Sequence, residues 1–275
     1  MDAQPGQKKL LCLMIVNHEF DDKARNREDA IKPAKKLKKT LEKRCAGKVV
    51  LKENLTVEKM KTAVDDLVKG KLEARGTDPA DFDSVWLVLS SHGDWNYFRD
   101  SDNQKHITDV IMGTDEDFVQ IYSLTKPLTK TGKPCAIVSQ ACRGDQLAAV
   151  CEVMVDGDAT SCQQTREKVR LTDRERTENT CPEFDSYFDN QIMLCASLPG
   201  NQSFRYPLIP YLTEVLINED LSNTHVENLF AKTCQKVKEE YSSGKGDGTE
   251  EDFLRDRKVN AIYYNKLLEP RVFLQ

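Results

Sequence analysis

The sequence predicts an α/β fold three layers deep, with a mainly parallel six-stranded sheet covered by helices on both faces. Three observations lead there. Continuous apolar runs of strand length recur at residues 10–16, 85–89 and 136–138, the pattern of strands buried on both faces. Segments with helical spacing lie between these runs, so strands and helices alternate, which joins parallel neighbours by right-handed crossovers. Two of the runs end in residues that carry chemistry: Ser90-Ser91-His92-Gly93 after one, Gln140-Ala141-Cys142-Arg143-Gly144 after the other. The carboxyl ends of strands are where open α/β sheets build their sites.

In chain order, residues 1–8 read as a polar tail holding Pro5 and Gly6, which leaves no room for an N-terminal adaptor domain. Residues 10–16 form the first buried strand, and 21–29 a charged loop. Residues 30–41 set Ala30, Ala34, Leu37 and Leu41 on one helical face with lysines on the other. Residues 49–51 are a short strand. Thr56 caps a helix lined by Val57, Met60, Val64, Leu67 and Val68, and Gly70 and Gly76 weaken its end. Residues 85–89 form the strand that delivers His92. Residues 94–127 read as a polar connection with a short helix at 115–124. Lys133-Pro134 opens the strand that delivers Cys142.

Residues 146–185 sustain no apolar period, which predicts a mobile linker open to proteolysis; the alternative is a solvated helix over 166–176. A strand follows at 191–197, a turn at Pro199-Gly200 and a helix at 208–216. Thr224-His225-Val226-Glu227 has the form of a capping box, opening a helix that turns Val226, Leu229, Phe230 and Val237 inward. Residues 259–264 and 271–274 are the last strand candidates.

Composition narrows the function. A chain of 275 residues with 39% apolar and 31% charged residues fits a soluble globular protein of one large or two small domains. The net charge of −5 with mixed signs predicts neither a nucleic-acid face nor a polybasic membrane patch. No run approaches the ~20 apolar residues that span a bilayer. Lys8-Lys9 and the run after it resemble a signal peptide only faintly, because Asn17-His18-Glu19 stands in place of a small-residue cleavage site. A cytoplasmic, reducing setting follows. The nine cysteines, odd in number and without CxxC pairs, then read as free thiols, most of them buried. No metal or cofactor is expected.

The chemistry converges on Cys142 and His92. A cysteine attacks as thiolate and needs a nearby base or cation. A histidine can hold the thiol proton and then give it to a leaving amine. The attacked carbonyl develops an oxyanion, for which the N–H groups of Gly93 and Cys142 are the candidates, glycine allowing close backbone approach.

Gln-Ala-Cys-Arg-Gly with a histidine about 50 residues before it is an established signature of the caspases, so at this point the chain resembles a known family. The resemblance runs from Leu10 to Leu274 and includes Gly132-Lys133-Pro134 ahead of the cysteine strand. It implies the caspase-like three-layer fold and an effector-like cysteine endopeptidase, cutting proteins after aspartate and acting in apoptosis. It implies a pocket for the P1 aspartate carboxylate built from Gln140, Arg205 and Arg27, with Arg25 the rival for the last position. Gln202, Ser203 and Phe204 fall at positions lining S2 to S4. It implies a zymogen with a large part at 9–145 and a small part at 186–275, cut in the linker. Asp158 is the first choice for the cut, Asp156 the second, with Asp173 and Asp185 also open. A homodimer through the late strands, an upstream caspase as activator, and inhibitor proteins are the implied partners.

The sequence departs from the family in three places: a short stretch after Arg205 without a tryptophan, Gln202 where an aromatic residue is usual, and no glycine in Asn26-Arg27-Glu28-Asp29. The first two departures motivate one alternative, a non-enzymatic caspase homologue that binds and modulates an active caspase. A relative cutting after Arg or Lys would need an acidic pocket, which Arg27 and Arg205 oppose.

Overall fold

In the computed structural model the described residues are 8–73, 75–99, 105–144, 190–197, 208–222, 224–242 and 261–267. Among them the strands are β1 (Leu10–Val16), β2 (Lys48–Glu53), β3 (Ser84–Ser90), β4 (Gly93–Arg99), β5 (Lys105–Met112), β6 (Phe118–Gln120), β7 (Cys135–Gln140), β8 (Gln191–Cys195) and β9 (Ile262–Lys266). The α-helices are α1 (Ile31–Arg44), α2 (Val57–Val68), α3 (Ile121–Thr125), α4 (Leu208–Asn218) and α5 (Val226–Ser242).

The main sheet has the order β2-β1-β3-β7-β8-β9. The pairs from β2 to β8 are parallel, and β9 runs antiparallel along β8. Every residue of β1, β3, β7 and β8 is buried, as continuous apolar runs require.

The pleat divides these residues between two cores. Leu10, Cys12, Met14, Val16, Trp86, Val88 and Val138 join α1, α4 and α5 on one face. Leu11, Leu13, Ile15, Leu87, Leu89 and Ile137 join α2 and α3 on the other. That gives the three layers. Trp86 meets Phe230 edge to face, with ring centroids 5.9 Å apart. Each such side chain contributes about 1.5–3 kcal/mol by leaving water.

The helix reading holds, with small shifts. α2 is capped by the Thr56 hydroxyl, which accepts from the Lys59 N–H at 3.4 Å. α1 extends to Arg44, whose guanidinium donates to the carbonyls of Ile217, in the last turn of α4, and Glu219, just beyond it, at 2.8 and 2.7 Å. α5 starts at Val226, so His225 stands at the cap position; the Thr224 hydroxyl donates to the Asp220 carbonyl instead. The late strand lies at Ile262–Lys266, a few residues beyond the expected 259–264, while 271–274 fall outside the described residues.

The larger difference is at residues 94–127. In place of a polar connection stands a second, antiparallel sheet of order β4-β5-β6, and the helix there is only Ile121–Thr125. Gly93 pairs with Ile111 and Arg99 with Lys105 in one long hairpin. Its strands carry Asp, Asn, Arg, Lys, His and Thr, so no apolar run announces them. Their aromatic and β-branched residues, Trp95, Tyr97, Phe98, Ile107, Thr108, Val110 and Ile111, favour strands, and pairing in register completes them.

Candidate active site

β3 and β7 are adjacent and parallel, and their last residues, Ser90 and Gln140, are register partners. His92 and Cys142 therefore each lie two residues beyond a paired end, on the same edge of the sheet. The Ser91 N–H donates to the Gln140 carbonyl at 3.4 Å. The two tips also touch further on. A Cβ placed on Gly93 would lie 2.6 Å from the Cys142 carbonyl oxygen, 2.8 Å from Ala141 Cβ and 2.9 Å from the Val110 carbonyl oxygen. Only glycine lets the cysteine loop rest on the hairpin in this way.

His92 is half-buried, with its Nε2 2.7 Å from the carbonyl oxygen of Arg25. A carbonyl only accepts, so Nε2 carries the proton and Nδ1 is the lone-pair nitrogen of the neutral ring. Phe20 packs on the ring at 5.0 Å. Burial lowers the imidazole pKa below its ordinary value; the Arg25 carbonyl opposes this, and the charges of Arg27 and Arg25 add to it. Burial and the bond to the Arg25 carbonyl thus favour the neutral ring with its proton on Nε2.

Cys142 is partly exposed, whereas Cys12, Cys45, Cys135 and Cys195 are buried. Burial pushes the thiols of Cys45, Cys135 and Cys234 up to about 12 and that of Cys195 to about 11, and raises Cys12 as well. Thiols so placed stay protonated and inert.

Arg27 is only 3% exposed, and its Nη1 donates to the Asn17 carbonyl at 2.9 Å and to Ser90 Oγ at 3.4 Å. It thus sits beside the strand end that leads to His92. Arg25 differs: its side chain is 46% exposed and pairs with Glu116 at 3.4 Å and Asp22 at 3.7 Å. The buried Gln140 side chain accepts at Oε1 from the Leu208 N–H at 2.8 Å and the Ile209 N–H at 3.4 Å, both at the start of α4. Those bonds settle which end of the amide is oxygen and leave its NH₂ to point elsewhere.

Arg143, next after Cys142, is fully buried. Its Nε and Nη2 donate to Asp109 Oδ2 at 2.9 and 2.5 Å, and its Nη1 to the Ser197 carbonyl and the Tyr264 hydroxyl at 3.2 Å each. Its guanidinium also faces the Tyr264 ring at 5.5 Å.

Arg205, Gln202, Ser203, Phe204 and the aspartates 156, 158, 173 and 185 lie outside the described residues. Three features escaped the sequence reading. Asn17 is fully buried; its Nδ2 donates to the Leu55 and Met112 carbonyls at 3.0 Å and its Oδ1 accepts from the Leu55 N–H at 2.9 Å. A polar residue directly after a seven-residue buried run was the available signal. The Arg25 carbonyl gave none, being backbone. Asp109 gave none either, because its strand had not been read. Among the described residues no group of three or more His, Cys, Asp or Glu could hold a metal, and no helix is long and apolar enough to cross a membrane.

Comparison with known proteins decides the family. The family model for the caspase domain matches residues 9–268. The chain belongs to the caspase family. It is 26% identical over 245 residues to "Caspase a" of Danio rerio, covering 83% of this chain and 55% of that protein. To "Caspase-1" of Sus scrofa it is 27% identical over 226 residues, 81% of this chain and 52% of the relative. To "Caspase-12" of Rattus norvegicus it is 28% identical over 197 residues, 71% and 43% respectively. This caspase-family chain thus spans about half the length of the curated relatives it matches. The six-stranded sheet with helices on both faces is the caspase-like fold that the sequence predicted.

Proposed function

We propose that the chain is a cysteine endopeptidase that cleaves proteins after aspartate. The observation that carries this is His92, favoured neutral with Nε2–H on the Arg25 carbonyl, at the strand end beside the one that bears Cys142. The steps follow from that arrangement. Cys142 Sγ attacks the scissile carbonyl carbon as its proton passes to His92 Nδ1. The oxyanion is met by the Gly93 and Cys142 N–H groups. The Met112 N–H donates to the His92 carbonyl at 3.0 Å, and Gly93 is the next residue along β4, which supports a Gly93 N–H that faces away from β5. The C–N bond then breaks, and the amine leaves with the proton from Nδ1. Water attacks the thioester, giving a proton to Nδ1; the C–S bond breaks, the acid is released, and the proton on Nδ1 returns to Sγ.

The P1 carboxylate is bound by Arg27, Gln140 and Arg205. Buried Arg27 next to Ser90, and a Gln140 amide whose oxygen is already engaged, support the first two. Gln202, Ser203 and Phe204 line S2 to S4. The large part spans 9–145, the small part 186–275, and the zymogen is cut in the linker between them, at Asp158 before Asp156, Asp173 or Asp185. Two such units pair through β9, one of the two edge strands of the main sheet among the described residues. The setting is apoptosis in the cytoplasm, with an upstream caspase and inhibitor proteins as partners.

The test uses purified protein and fluorogenic peptides with P1 Asp or P1 Arg. Turnover of the Asp peptide only, lost at least about a thousandfold in Cys142→Ala, is expected. Intact mass should show two fragments breaking after Asp158 or Asp156, absent in Cys142→Ala. Equal turnover by both proteins sinks the reading, and no turnover together with binding to an active caspase replaces it with the non-enzymatic one.

A further inference from the structure

Arg143 is among the largest side chains of the described residues to be fully buried, and it directly follows Cys142. Burying a guanidinium is costly unless a charge compensates it and its donors are filled. Here Asp109 supplies the charge, through two bonds to a single oxygen, and keeps only 15% of its own side chain exposed. Burial alone would lower the pKa of Arg143, but Asp109 first, then Tyr264 and Cys195, hold it well above its ordinary value, so the cation persists. Asp109 lies on β5, opposite Trp95 on β4, and β4 begins at Gly93, immediately after His92. The ion pair therefore spans the two tips of the site: hairpin and histidine on one side, cysteine loop on the other.

We propose that Asp109 is a positioning residue, which through its ion pair with Arg143 fixes the Cys142 loop against the hairpin that carries His92 and Gly93. It touches no substrate. It sets where Sγ stands relative to Nδ1 and where the two oxyanion N–H groups stand relative to each other. The proposal rests on the peptidase reading above, so its test includes a readout that needs no turnover.

Compare the full chain with Asp109→Asn, Asp109→Glu and the double variant Asp109→Leu/Arg143→Met. Measure alkylation of Cys142 by iodoacetamide at pH 7 and pH 10, resolved by peptide mass, together with kcat and KM for a P1-Asp peptide. In Asp109→Asn, alkylation at pH 7 should fall about tenfold with the pH 10 rate unchanged. Its kcat should fall about ten- to a hundredfold with KM within about threefold. Asp109→Glu should restore both to within about threefold of the natural chain.

If Asp109→Asn does not fold, the double variant decides, because an apolar replacement of a buried pair often keeps the fold. A folded double variant with unchanged alkylation and kcat overturns the proposal. So does an Asp109→Asn protein that loses thermal stability but keeps the pH 7 rate and kcat. If no protein turns over peptide, the alkylation profile alone decides: a pH 7 loss restored by Asp109→Glu supports positioning, and its absence refutes it. The peptidase reading fails separately in that case.

Discussion

His92 commits one ring nitrogen to the Arg25 carbonyl, and that single bond decides which nitrogen can take a proton from the thiol. The pH consequence is definite in sign. Burial first, and then the charge of Arg27, depress the folded pKa below the ordinary 6.5 of the unfolded chain. The folded state therefore binds this proton less readily than the unfolded one. The contribution to stability is present above pH 6.5 and is lost as pH falls through the folded value. In an NMR titration the His92 ring should show a midpoint below 6.5, assigned by its disappearance in His92→Asn. In Arg27→Gln that midpoint should move upward, because one repelling charge is gone. An unmoved midpoint removes Arg27 from the electrostatics of the site. Cys142 and His92 stood out in the sequence because Gln140-Ala141-Cys142-Arg143-Gly144, with a histidine 50 residues before the cysteine, matches a family signature. The Arg25 carbonyl did not, since every residue has one.

Among the elements, those with an apolar signature were read and those built by pairing were not. β1, β3 and β7 are buried on both faces, so their sequences could only be apolar. α1 and α2 bury one stripe each, so a 3.6-residue period shows in them. β4 and β5 carry strand-favouring residues, Trp95, Tyr97, Phe98, Ile107, Thr108, Val110 and Ile111, but polar and charged residues interrupt them, so no continuous apolar run marks these strands. Missing them also hid Asp109.

Asn17 has a comparable standing between elements. It ties the end of β1 to the segment before α2 and to the end of β5 through three bonds. In Asn17→Ala the Leu55 N–H loses its partner, while the Leu55 carbonyl keeps the Thr114 N–H and the Met112 carbonyl keeps the Ser91 hydroxyl. The expected loss of stability is about 1–3 kcal/mol, read from the urea midpoint. A loss under about 0.5 kcal/mol would show that water or a rearrangement takes over those bonds.

At the scale of the molecule the two cores enclose almost every described thiol, and this makes a prediction for the native protein. Among the six described cysteines, Cys142 should be alkylated first near neutral pH, while Cys12, Cys45, Cys135 and Cys195 should react only as fast as the fold opens. Peptide mapping after brief exposure to iodoacetamide reads this directly. Labelling of Cys12 or Cys195 as fast as Cys142 would contradict the layer arrangement.

The seam between β7 and β8 has a further consequence. These strands are neighbours inside the sheet, yet they are separated in the chain by residues 141–190. Both pieces also contribute to one core, Leu10 to Val138 from the first and Ile192 to Phe230 from the second. A cut in that interval would leave β7 and β8, paired in one sheet, on different molecules. What had been an interior becomes a subunit boundary, already joined by the Leu208 N–H, which donates to the Gln140 side-chain oxygen Oε1 at 2.8 Å. Neither piece could leave without exposing half a core. The cut protein would be an obligate complex from the moment it forms, with an assembly constant inherited from folding and independent of any encounter in solution.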